Sequence, residues 1–201
     1  AGCSATGMSP ANRSNLGFTE LEHGLDEYLH VSPGYNSQVL LRWGDPLFVG
    51  APAFDPENQT EEAQLQQFGY NNDYVGFLPL PMGSDNSDHG LLVVNHEYCR
   101  SRLMYPGSPG TTSLSREQVG VDKATVGLSV VEVQKSGDHW QVNLESSYNR
   151  RITPDTHMQL TGAAAGHQRA VTNDSKNGID TWGTYANCAG GVTPLGHGSD
   201  S

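Results

Sequence analysis

Short apolar runs alternate along the chain with stretches rich in Gly, Pro, Asn and Ser, and the period of the runs changes from place to place. Leu21, Leu25, Tyr28 and Leu29 recur at helical spacing between Thr19 and Val31, which predicts a short amphipathic helix begun by Thr19 or Glu20 and stopped by Pro33. Gln38 to Trp43 reads as a strand, with Gly44-Asp45-Pro46 as its break. Glu61 to Phe68 carries acidic residues in its first turn and Gly69 just beyond, the pattern of a two-turn helix with a left-handed glycine at its end.

Tyr74 to Leu80 and Gly90 to Cys99 are strand-like and joined by the turn-rich Pro81 to His89, so they are expected to pair antiparallel. Ser115 with Gln118 three residues on resembles a capping box, although Gly120 weakens the helix that would follow. The clearest hairpin joins Val126–Gln134 to Trp140–Leu144 across Lys135 to His139, with Trp140, Val142 and Leu144 on one face. Met158–Leu160 and Thr181–Asn187 are further candidate strands. Meandering strands with few helices predict an all-β sheet array.

Composition agrees with a packed, turn-rich molecule. The 201 residues are 35% apolar, about 47% with the 24 Gly counted, within the globular range of about 45–50%. The first seventeen residues are small and polar, unable to bury a periodic face, and residues 1–18 read as a disordered arm or leader remnant ahead of a domain over 19–201. The formal charge is −11 and the basic residues are scattered, which argues against nucleic-acid binding. No apolar run approaches the roughly 20 residues of a membrane span.

Candidate chemistry concentrates where the second strand turns polar. In Gly90 to Cys99 the odd positions read Leu91, Val93, Asn95, Glu97 and Cys99, so alternation places Asn95, Glu97 and Cys99 on one side, able to converge on a cation. A carboxylate suits a hard or ferric ion and a thiolate implies a transition metal. Cys99 has two other readings, a buried thiol or half of a disulfide with Cys188. Asn71, Asn72 and Asp73 precede a strand and offer calcium-type oxygens, or simply turn formers. Gly190 and Gly191, in Asn187 to Pro194, let the backbone approach an anion or metal site closely. HExxH, phosphate-loop and nucleophile-elbow motifs are absent from the sequence, which sets aside the zincin, P-loop and α/β-hydrolase classes.

Taken in order, YNSQVLLRWGDP (35–46), FGYNNDYVGFLPL (68–80), GLLVVNHEYC (90–99), GLSVVEV (127–133), YNRRIT (148–153), LTGAAAGH (160–167) and NCAGGVTP (187–194) resemble the PhoX-type alkaline phosphatases, exported bacterial phosphomonoesterases. The resemblance runs from Thr19 to Pro194 and corresponds to the N-terminal part of a longer family sequence. It implies part of a β-propeller, six-bladed in the family, with short peripheral helices and a ferric iron and calcium cluster that hydrolyses phosphate monoesters. It implies Tat-dependent export of a precursor to the periplasm or beyond, and it makes Glu97 and Cys99 the expected metal ligands, with Asn95, Asp73 and Asn72 as further candidates. The acidic ligands and basic phosphate contacts expected downstream are not in this sequence, so the 201 residues alone are expected to show little or no turnover. Two rivals stay open: a non-catalytic, calcium-stabilised propeller module, and a calcium-dependent hydrolase of the lactonase or phosphotriesterase kind.

Overall fold

The computed structural model describes Gly17, residues 19–110 and residues 113–193, so most of the expected arm over 1–18 lies outside the described residues. The chain divides into a unit over residues 1–39 and a second over 40–201.

In the first unit the described residues form turns and no helix. The helix expected over Thr19–Val31 does not form, and Leu25, Tyr28 and Leu29 are exposed. Isolated helices of this length are marginal in water, and helices draw most of their stability from packing an apolar face, which these residues do not do here. The segment is instead pinned locally: the Asp26 carboxylate accepts from the Tyr28 N–H (2.9 Å) and contacts the His30 ring (2.8 Å), and the Ser32 hydroxyl donates to the Thr19 carbonyl (2.6 Å).

The second unit is built on antiparallel strands β1 (Asn72–Pro79), β2 (His89–His96), β3 (Gly127–Ser136) and β4 (His139–Val142), paired in sequence order, with β5 (Arg150–Ile152) on the same edge of β3 as β4. Four strands meandering in order is the build of a propeller blade. A separate hairpin pairs β6 (His157–Gln159) with β7 (Asp180–Trp182). The expected β1–β2 pairing forms, and the β3–β4 hairpin closes more tightly than expected, on Gly137-Asp138 with Ser136 opposite His139 and Gly137 at φ 60°. Burial alternates along β4, with Trp140 and Val142 turned inward.

Helix α1 (Glu61–Gln64) is one turn rather than two; the Thr60 hydroxyl accepts from the Ala63 N–H (3.2 Å). It stops because the following residues turn back onto the loop before it, with Phe68 N–H donating to Asp45 and Gln67 bridging Pro46. Gly69 does not take a left-handed conformation. It is small for another reason: a Cβ there would lie 2.5 Å from the His96 ring and from the Thr125 carbonyl. The strand expected over Gln38–Trp43 is irregular, having no described strand to pair with; Leu40 and Leu41 pack on the core instead. Two more helices follow, α2 (Ser101–Met104) and α3 (Arg116–Thr125). The capping box holds: Gln118 N–H donates to the Ser115 hydroxyl and the Gln118 side chain accepts from Ser115 N–H, and α3 forms despite Gly120 because Val121, Ala124 and Thr125 are buried.

One sheet face carries Val94, Val131 and Val133, which pack on Leu47 and Phe68 of the 40–68 segment. That segment is tied by a buried chain of amides in which Trp43 Nε1 donates to Gln64 (2.9 Å), Gln64 to Gln67 (2.8 Å) and Gln67 to the Pro52 carbonyl (2.9 Å). The opposite face carries Leu78, Leu91 and Val130, and along it lies a cavity of about 230 Å³ that Tyr74, Tyr148, Arg150 and Val192 also line.

Candidate metal centre

The described residues bring Asp73, Glu97 and Cys188 together, with one donor atom of each within 4.8 Å of the others. Each arrives from a different place in the chain. Asp73 sits in a β-bulge: Asn72 pairs with His96 and Val75 with Val94, so Asp73 and Tyr74 share Asn95 as their opposite. An extra residue in a strand re-aims a side chain that regular pleating would send elsewhere. Asn71, just before it, has φ 56°, a left-handed conformation that asparagine tolerates.

Glu97 follows directly on β2, and its backbone N–H donates to the Asn71 carbonyl (3.1 Å), one step beyond the Asn72–His96 pair that bounds the bulge. Cys188 comes from the segment after β7, which joins no strand. The side chains of Asn95, Asn187 and Tyr74 seat that segment. The Asn95 amide nitrogen donates to the carbonyls of Cys188 (3.2 Å) and Ala189 (3.1 Å). The Asn187 amide donates to the Gly127 carbonyl (3.4 Å) and accepts from the Thr184 hydroxyl. Gly190 lies flat on the Tyr74 ring, where a Cβ would collide with it; the same ring covers Gly76, where a Cβ would come within 2.6 Å of its hydroxyl oxygen.

The Cys188 thiol donates to Glu97 Oε1 at 2.8 Å. That bond, with the charges of Glu97 and Asp73, pushes the thiol up to about 11, although it is exposed. Anionic groups gathered this way oppose thiol ionisation, and a bound cation reverses that balance.

Cys99 does not join this group. The alternation that put Asn95, Glu97 and Cys99 on one face holds through Asn95, but the ladder ends at His96 opposite Gly127 and the chain beyond is irregular. Cys99 Sγ instead bonds the Asp122 carbonyl (3.3 Å) and the Thr125 hydroxyl (3.2 Å) and packs beside Met104, Tyr105 and Val121. Burial pushes this thiol up to about 12. Both cysteines are free, so the Cys99–Cys188 disulfide does not form. Of the remaining candidates, Asp73 reaches the cluster, whereas Asn72 ends the ladder opposite His96 and the Asn95 amide is engaged with carbonyls. Sequence reasoning missed the sulfur of Cys188, although it marked the glycine pair beside it as a place of close backbone approach.

The family model described as alkaline phosphatase PhoX matches residues 16–197. Among solved structures, Pseudomonas fluorescens PhoX in complex with vanadate, a transition state analogue, is 40% identical with a TM-score of 0.71; the match covers 82% of this chain and 28% of that one. No curated protein matches. None of the helices among the described residues is long and apolar enough to cross a membrane. The family match over residues 16–197, together with a solved relative of the same fold, establishes that the chain belongs to the alkaline phosphatase PhoX family.

Proposed function

We propose that the chain contributes ligands to the metal centre of a phosphomonoesterase, with Asp73, Glu97 and Cys188 as its donors. The observation that carries this reading is the convergence of two carboxylates and a thiol within 4.8 Å. The donor set fits: carboxylate oxygens suit calcium and ferric iron, and a sulfur donor favours a transition ion over a site of calcium alone, which weighs against the calcium-only module and the lactonase-type hydrolase. Iron with calcium, the content the family resemblance implies, is compatible with these donors. When bound, such ions supply the positive charge that draws in a phosphate dianion and the acidity that yields a nucleophile from water.

The chain's own residues prepare the site. Glu97 Oε1 holds the Cys188 proton in the metal-free chain, so metal uptake releases that proton. The chain carries net charge −11, so without bound cations it repels a phosphate monoester. Vanadate bound to the P. fluorescens relative as a transition state analogue supports phosphoryl chemistry for the whole protein. The chain spans 28% of that relative's length, and three donors are too few for several ions, so the 201 residues by themselves are expected to turn over little p-nitrophenyl phosphate. Substrates are phosphate monoesters, and the setting is periplasmic or secreted, reached by Tat-dependent export of the precursor.

Iron titration of the chain, read by thiolate-to-iron absorption and elemental analysis with calcium present, tests the ligand assignment. Cys188→Ser is expected to abolish the absorption and most of the bound iron, whereas Cys99→Ser leaves both unchanged. Iron retained by Cys188→Ser and lost by Cys99→Ser overturns the assignment, and substantial phosphatase turnover by the chain alone overturns the expectation of a dormant piece.

A further inference from the structure

Asn95 is buried on β2, two residues before Glu97, and its side chain reaches across the sequence to the loop that carries Cys188. That loop belongs to no strand, so side chains rather than a ladder fix its place. An asparagine amide offers two N–H donors, and here two successive carbonyls, those of Cys188 and Ala189, stand 3.2 and 3.1 Å from its nitrogen. Carbonyls only accept, so the nitrogen must be the atom facing them. The amide is thereby committed to the backbone next to a ligand.

We infer that Asn95 is a positioning residue of the metal centre, a latch that holds the 188–189 backbone so that the Cys188 sulfur meets Glu97. The inference rests on the metal-centre reading above for its consequence, but the latch itself is a property of the metal-free chain. Aspartate at position 95 keeps the shape and sets a carboxylate against two carbonyl oxygens; alanine simply removes the donors. Either change releases the 188–189 backbone from β2, while the β2–β3 ladder, made by backbone groups, remains.

The test uses the whole 201-residue chain and two readouts. The first is the affinity for Co2+ alone, followed by thiolate-to-cobalt absorption. Asn95→Ala and Asn95→Asp are expected to weaken binding about 10–100-fold, the usual cost of losing a partner that orients a ligand. The second is the rate at which iodoacetamide alkylates Cys188 in the metal-free chain, read by peptide mapping at fixed pH; release from Glu97 is expected to raise it about tenfold. Leu47→Ala, in the core on the opposite sheet face, serves as the control: it lowers the melting temperature and leaves both readouts as in the parent. Parental values for both readouts in the Asn95 variants overturn the inference. So does an equal change in Leu47→Ala, because the effect is then one of general stability. If the parent binds no Co2+ while alkylation still accelerates in the Asn95 variants, the latch stands and the metal assignment falls.

Discussion

His96 is fully buried, edge-on to Phe68 with ring centroids 4.9 Å apart, and its Nε2 lies 2.7 Å from the Ser129 hydroxyl, which also accepts from Arg151 (2.9 Å). Burial, helped by the nearby Arg151 charge, lowers its pKa from 6.5 to about 2. Between those two values the unfolded chain takes up a proton that the folded chain refuses, so stability is complete above pH 6.5 and falls as pH drops below it. One such group costs about 2 kcal/mol at pH 5, at roughly 1.4 kcal/mol per pH unit below 6.5. Urea unfolding of the metal-free chain at pH 7 and pH 5 measures this, and His96→Leu, which cannot titrate, is expected to flatten the loss. An equal acid loss in both proteins removes His96 as its cause. Burial acts on Cys99 as well: its thiol, pushed up to about 12, packs in neutral form beside Met104, Tyr105 and Val121.

Elements formed where local chemistry and tertiary burial agreed. Ser115 and Gln118 spell out a capping box, and α3 follows because Val121, Ala124 and Thr125 find a core. Ser115→Ala is expected to cost about 1 kcal/mol, measured by denaturant unfolding, and no loss at all contradicts a stabilising role for the cap. The β3–β4 hairpin was legible in the alternation of Trp140 and Val142 around a glycine turn. By contrast, Leu21, Leu25, Tyr28 and Leu29 carry a helical period without a helix, because periodicity describes a face and says nothing of whether that face has anything to cover. The bulge at Asp73 had no signal in the sequence beyond its asparagines, since a shift of pairing register depends on the partner strand.

At the scale of the second unit, the sheet is fastened on one face by Leu47, Phe68, Val94, Val131 and Val133. Leu47→Ala is expected to destabilise it by about 3 kcal/mol, whereas Leu25→Ala, at a fully exposed site in the first unit, changes stability by less than about 0.5 kcal/mol. Comparable unfolding midpoints for the two variants contradict this placement of the core. The opposite sheet face turns from apolar at Leu91 and Val93 to polar at Asn95, as alternation predicted, and that change of character marks the end of the sheet where the three donors gather.

The sequence by itself determined the all-β meander, the capping box and hairpin, and the PhoX family, because these depend on residue types at short spacing or on long strings read in order. Only the tertiary structure decided which sulfur stands beside Glu97. Glu97 and Cys99 are two residues apart yet point to different environments once the ladder stops at His96, while Cys188, 91 positions from Glu97, is brought to 2.8 Å of it. Sequence spacing sets distance only while a regular element continues. Beyond the last rung, packing and the hydrogen bonds of a distant loop set it.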